Sequence, residues 1–477
     1  MLRGLTFAGT TMSDVKNYGA VGDGKADDTQ AIQHAVESGV GFIEFGRGTY
    51  RITRTILVDL ATTGRTGLAG SGGVAKIVHE GKGPAFFFRG THTATADPSG
   101  FRPEEWQNER MPILSNLEIE GKHPEADGVR VEGVMQPTFV GVLIREVRTA
   151  LHVTGRARNL IVSACHFYNN KGIGVHFDTL NLHQAIITGS HISYCRLGGI
   201  RVERSEIRNF QVTGCDIEYN NNRAHKVPDA DDAPTAEIYL DVGQGSIREG
   251  TIVGNTIQAT YSPNGANIRF IGAGPDKNHK IGMWSITGNL IGSQETNIHL
   301  SSARDVTISG NHIYSGHKRN LLVEDSRNIV VGANCFGHNP DYQANELCTG
   351  IRFVNSVDCV MSGTLIQDCQ AGKHTVPNVV ELEREALVEF VKCRRINLTG
   401  VQVVDGAPYG ITFDECRDTV LSGCTILDSR ETKLMKSAIH WTGEGSGNLV
   451  SGCRLDPGSD GKLSLPEHVT QNGNLVG

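Results

Sequence analysis

The sequence predicts an all-β solenoid, a chain wound into strand-built coils that stack on one another, with a short helix covering the first end. From about residue 110 the chain repeats with a period of roughly 23 to 30 residues, the interval at which solenoid units recur. A typical unit, DVTISGNHIYSGHKRNLLVED from Asp305 to Asp325, reads strand, glycine with a turn residue, short strand, loop and third strand. Glycine is abundant at 58 residues and proline scarce at 15, as many tight turns between paired strands require. Each coil can bury its aliphatic side chains only against its neighbours, so the expectation is one continuous domain over 1–477 of about a dozen coils.

The elements follow in order. Residues 15–60 form the cap and first strands. Asp27 followed by Gln30 is a capping arrangement, Ala31, Ile32, Ala35 and Val36 line one helix face, and Gly39 stands where the helix must stop. A helix near 27–38 would cover the open end of the stack, where unpaired backbone groups invite aggregation. Regular coils occupy 110–457, and 458–477 make a C-terminal cap or tail. The turn position after each glycine or small residue is filled in succession by Cys165, Ser190, Cys215, Asn255, Asn289, Asn311, Asn334, Thr364, Val401, Cys424 and Cys453. Four asparagines in a row predict a stacked amide ladder, and the cysteines read as small buried residues of the same row.

The opening resembles that of the pectate-lyase-like superfamily of right-handed parallel β-helices, which includes polygalacturonase-type hydrolases, alginate epimerases and phage tailspikes. The residues that carry the resemblance are Gly19-Ala20-Val21-Gly22-Asp23-Gly24, then Asp27-Asp28-Thr29, then Gly48-Thr49-Tyr50 after the helix. It implies a right-handed parallel β-helix, a polysaccharide or oligosaccharide ligand, and allows a homotrimer. It transfers no catalytic residues. The Asn-Thr-Asp, Asp-Asp, Gly-His-Gly and Arg-Ile-Lys elements of polygalacturonase-like hydrolases have only scraps here, in Gly316-His317, Arg395-Ile396-Asn397 and Asp231-Asp232, and the Asp-Pro-His of alginate epimerases is missing.

Site residues are therefore read from stacking alone. Three third strands, GVHFD (Gly174 to Asp178), GIRVE (Gly199 to Glu203) and EIYLD (Glu237 to Asp241), superimpose without gaps. Alternation turns Val175, Phe177, Ile200, Val202, Ile238 and Leu240 inward. The outer face then carries one row of His176, Arg201 and Tyr239 and a second of Asp178, Glu203 and Asp241. At about 4.8 Å per coil, neighbouring acids lie about 5 Å apart and the outer two about 10 Å apart. Three such acids resist full ionisation, so Glu203, the central one, is expected to titrate high and serve as general acid. If Arg201, two residues away on the same face, keeps it ionised, that role passes to Asp241 or Asp178.

The catalytic set read from the sequence is Asp178, Glu203, Asp241 and Tyr239. The substrate-binding set is His176, Arg201, Arg269, Arg130, His152, Glu237, His299 and Trp106, with Trp106 either a sugar-stacking platform or the anchor of its own loop. Long polar inserts at 91–109 and 219–235 flank this face and could wall a groove. A groove of Arg, His, Tyr and paired acids suits an anionic glycan. Glycoside hydrolysis or transfer is the first expectation, at a spacing that allows a retaining or an inverting outcome. Elimination or C5 epimerisation of a uronate, using Arg201, Tyr239 and His176, is the second, and a glycan-binding fibre without catalysis is the third.

Composition limits the rest. A net charge of −7 with no basic tract argues against nucleic acid, and 38% hydrophobic content argues against disorder. No run reaches membrane-spanning length, and MLRGLTFAGTTMSD lacks the apolar core of a secretory signal. Eleven cysteines without a CxxC or a zinc-like Cys/His spacing lean towards a reducing compartment such as the cytoplasm. No metal or other cofactor is expected. Asp229, Asp231 and Asp232 could gather Ca²⁺ but match no EF-hand spacing, so a calcium site is not indicated.

Overall fold

The computed structural model describes residues 13–93, 100–222, 234–339, 350–367 and 384–477. The acidic cluster at 229–232, residues 94–99 of the first long insert and 223–233 of the second lie outside the described residues. Contacts divide the chain into two compact units, 1–170 and 171–477.

In the first unit α1 (Thr29–Glu37) buries Ile32, Ala35 and Val36. Its start is set by Asp27, whose Oδ1 accepts from the Thr29 N–H at 3.1 Å, and Asp28 precedes the first turn. Gly39, at φ +72°, follows its last turn in the left-handed conformation that a glycine adopts without penalty. The strands after it pair in parallel, so that Val129, Arg130 and Val131 stand opposite Leu151, His152 and Val153. Phe45, Tyr50, Phe86 and Phe88 fill the interior.

The second unit stacks the three strands of its coils into three parallel sheets. The strands that carry the predicted site are β1 (Ile173–Thr188), β2 (Gly198–Glu203), β3 (Ala236–Asp241), β4 (Ala266–Ile271), β5 (Thr296–Ser301) and β6 (Arg319–Glu324). Their register places Val175, Ile200, Ile238, Ile268, Ile298 and Leu321 opposite one another, all fully buried. Further along, Phe353, Phe390, Phe413 and Trp441 stack at successive centroid distances of 5.1, 5.2 and 4.3 Å. Each such pair adds about 0.5–1.5 kcal/mol beyond its area burial.

Two amide ladders run inside the turns. In the ladder expected from the sequence, Nδ2 of Asn255, Asn289 and Asn311 each donates to Oδ1 of the next asparagine at 2.9, 2.9 and 3.0 Å. A second ladder links Asn267, Asn297 and Asn320 at 2.9 and 2.6 Å. Its sequence signal is an Asn at the same place in NIRFI, NIHLS and NLLVE. Cys165, Cys215, Cys424 and Cys453 are buried in the turn row, each at most 3% exposed. Burial pushes the Cys165 thiol up to about 11. All four are expected to resist a thiol reagent in the native protein and to react after unfolding. Rapid native labelling of all four would refute the stacking of the coils.

Candidate functional site

The outer face of β1 to β6 brings the predicted residues together. The register sets His176, Arg201, Tyr239, Arg269 and His299 in one row, and Asp178, Glu203 and Asp241 in the row beside it. The side-chain electrostatics differ from the expectation. Glu203 is not a raised acid. The hydrogen bond from His176, reinforced by the charge of Arg201, outweighs burial and holds its carboxyl down at about 2. His176 Nε2 lies 3.5 Å from Glu203 Oε2, and Arg201 is paired with Glu203 Oε1. Arg204 is the residue the sequence reading missed. It sits at the corner after β2 with φ +49° and reaches back over the face, 2.6 Å from Asp178 and 3.3 Å from Glu203. Two of the three carboxylates, Asp178 and Glu203, are thus paired with cations on the same surface, and an opposite charge this close favours the ionised form of Glu203. Asp241 accepts from the Gly243 N–H at 2.9 Å and shapes the turn after β3.

Tyr239 occupies the middle of the row. The Arg201 guanidinium lies 5.0 Å from its ring centroid and that of Arg269 lies 5.8 Å away, a cation on each neighbouring coil. Burial, its largest influence, pushes the phenol above its ordinary value, so at neutral pH it carries its proton. Arg269 is itself buried at 7% exposure, donating to the Asn264 carbonyl at 2.8 Å and through Nε to His299 Nδ1 at 3.3 Å. His299 Nδ1 accepts that bond, which leaves Nε2–H to donate to Glu324, 2.9 Å away. The pairing lowers Glu324 in turn. His299 is therefore held on both sides as a link between Arg269 and Glu324.

Glu237 does not belong to the outer face. Its place in the alternation matches Tyr239 and Asp241, but it is the second residue of β3 and its side chain is buried. There it accepts from the Asn220 N–H at 3.0 Å and from the Asn220 side-chain amide. Burial pushes it up to about 8. The raised carboxyl in this region is thus an interior one.

Arg130, His152 and Trp106 belong to the first unit. Arg130 pairs with Glu132 at 2.8 Å and lies 5.0 Å from the Phe87 ring centroid. Trp106 stacks on Phe101 at 5.8 Å, with Arg110 over its ring at 4.6 Å. These contacts tie the indole to its own loop. His176, Asp178 and Glu203 each offer one ligand atom within 4.8 Å of the others. A divalent cation there would compete with Arg204 for Asp178 and with Arg201 for Glu203.

The fold and this strand-borne polar face define a class, the parallel β-helix that exposes a titratable surface along one sheet. Residues 105–237 match the family model described as a right handed beta helix region, and residues 12–110 match that of rhamnogalacturonase A/epimerase, pectate lyase-like. Together these matches and the parallel stacking of the coils support a right-handed parallel β-helix. Among solved structures it is similar to the pre-mature gene product 12 of bacteriophage phi29, at 11% identity and a TM-score of 0.55, covering 97% of this chain and 66% of that one. It is also similar to ORF18 of Geobacillus virus E2, at 16% identity and a TM-score of 0.45, covering 74% of this chain and 61% of that one. A third similarity is to the A-module of the mannuronan C-5 epimerase AlgE6 of Azotobacter vinelandii, at 12% identity and a TM-score of 0.35, covering 98% and 99%. The chain thus spans less than two thirds of the length of the Geobacillus virus protein. No curated protein matches the sequence.

Proposed function

We propose that the face of β1 to β6 binds an acidic polysaccharide and moves a proton at C5 of a uronate, as in elimination or epimerisation, rather than hydrolysing a glycosidic bond. The observation that carries this reading is Tyr239, a protonated phenol between two guanidiniums, beside a carboxylate, Glu203, that is held ionised. Glycoside hydrolysis needs a carboxylic acid that keeps its proton to give to the leaving oxygen. Glu203, the acid expected to supply it, is held ionised by the hydrogen bond from His176 and the charge of Arg201. Proton abstraction beside a carboxylate needs cations to neutralise that carboxylate, a base and a proton donor. Arg201 takes the uronate carboxylate, with Arg269 adding charge from the next coil. Tyr239 gives the proton. His176, oriented by Glu203, accepts one through the ring nitrogen turned away from that carboxylate. His176 and Tyr239 lie one coil either side of Arg201, about 10 Å apart along the stack, so a pyranose over Arg201 lies between them. The match of residues 12–110 to a rhamnogalacturonase/epimerase model supports a polysaccharide as the substrate class.

A panel of acidic and neutral polysaccharides tests this, read by reducing ends, by absorbance near 235 nm and by NMR of the recovered polymer in D₂O. Elimination shows as both reducing ends and absorbance, and epimerisation as deuterium at C5 with neither. Reducing ends without absorbance would mean hydrolysis and overturn the proposal, and an inert polymer that still binds would mean a glycan-binding protein without catalysis.

A further inference from the structure

A second row of charge runs along the neighbouring sheet of the 171–477 unit. The register aligns Arg208, Arg248, Gly282, Arg304, Arg327, Val357, Arg394 and Arg417. Each is followed by a residue at positive φ, from 53° to 66°, so the same kink recurs on every coil and presents the arginine outward. In most of the row the fold provides a partner. Glu206 lies 3.0 Å from Arg208 and 3.6 Å from Arg248, Asp305 pairs with Arg304, and Asn278 accepts from Arg327. Arg395, next to Arg394, is held by Asp358 through two hydrogen bonds.

The last two members differ. Arg394 and Arg417 stand directly opposite each other on adjacent coils, both exposed. Among the described residues neither guanidinium, nor the ammonium of Lys392, makes an ion pair or a side-chain hydrogen bond. Like charges directly opposite on neighbouring strands are destabilising. These three cations line a concavity of about 680 Å³, whose remaining wall includes Gly443, Glu415 and Glu444. No oxygen of either glutamate approaches a cation within ion-pair distance.

We propose that this concavity is an oxyanion-binding site that takes the carboxylate or sulfate groups of an acidic polysaccharide. The strands that carry Arg394 and Arg417 lie about 4.8 Å apart, each planar guanidinium fork can hold an oxyanion in a bidentate manner, and Lys392 adds a point charge at the corner. Glu415 and Glu444 limit the net charge of the lining, which disfavours an indiscriminate polyanion. The identity of the ligand rests on the proposed anionic-glycan function, whereas the oxyanion site itself does not.

The test is calorimetric titration of an oligouronate and of a sulfated oligosaccharide of equal length into the wild-type protein, Arg394→Gln/Arg417→Gln and Arg201→Gln, at low and moderate salt. The expected result is a loss of tenfold or more in affinity for at least one ligand in the paired variant, with weaker salt dependence. The ligand that loses more identifies the group recognised. Lys392→Gln, at an exposed corner, repeats the measurement if the paired variant does not fold. Unchanged affinity for both ligands overturns the proposal, as does an equal loss for a mixed-sequence oligonucleotide or no binding of either ligand by the wild type. Loss in the paired variant with Arg201→Gln unaffected upholds this site and counts against uronate binding over Arg201.

Discussion

Tyr239→Phe is expected to lower turnover on a polyuronate by about a thousandfold, a loss of ~4 kcal/mol in transition-state stabilisation, with little change in KM. The phenyl ring keeps its place between Arg201 and Arg269, so only the hydroxyl proton is lost. Because burial raises the phenol, the donor stays protonated through neutral pH, and this group causes no loss of rate on the acid side. Arg201→Gln should instead raise KM and lower turnover together, since it removes the uronate's partner and the charge that helps hold Glu203 ionised. Steady-state kinetics on one defined polymer distinguish the two. Near wild-type turnover in Tyr239→Phe, with a thousandfold loss in Glu203→Gln, would return the site to glycoside hydrolysis.

The stability of the wild-type protein is expected to fall between about pH 4.5 and pH 8 through Glu237, and Glu237→Gln is expected to abolish that part of the decline. The folded-state value is raised to about 8 from an ordinary 4.5. Below 4.5 both folded and unfolded chains hold the proton and the contribution is full. Between the two values only the folded chain holds it, so each pH unit costs about 1.4 kcal/mol, on the order of 4–5 kcal/mol in all. Above 8 nothing further is lost. The neighbouring charges that bear on Glu237, Glu218 and Asp216, are both carboxylates and act in the same direction. The register places Glu237 opposite Asn267, whose buried Oδ1 has no donor. A protonated Glu237 can give that oxygen its O–H and so complete the second amide ladder, and a glutamine can do so at every pH. Urea unfolding of both proteins from pH 5 to 9 reads the difference. The glutamine variant should gain on the wild type up to pH 8 and then run parallel to it. Parallel curves throughout would mean that Glu237 is ionised in the folded state.

Much of this molecule was legible before its structure. The cap helix followed from Asp27, the apolar spacing of Ile32, Ala35 and Val36, and Gly39. The Asn255–Asn334 ladder followed from four asparagines at one repeat position. The second ladder was equally legible, but its asparagines open strands whose alternating residues drew the reading to the outer face. For the site, the two rows on β1 to β3 were found by superimposing strands, whereas Glu237 was misplaced because the start of β3 is buried on both faces, where Asn220 takes up its carboxyl.

Repetition is a one-dimensional property, and so the solenoid, its inward aliphatic rows and the coil-to-coil register of His176, Arg201 and Tyr239 could be read from residue spacing. The charge state of Glu203 came from the fold in three dimensions. A carboxylate's protonation depends on which cations reach it through space, and Arg204 reaches Asp178 and Glu203 from a turn whose left-handed backbone no spacing rule announces. The same holds for the exposed arginines. Arg208 and Arg417 occupy equivalent places in the repeat, and the three-dimensional placement of Glu206 within ion-pair distance of one, where no described carboxylate comes as close to the other, separates a neutralised strand edge from a cationic concavity.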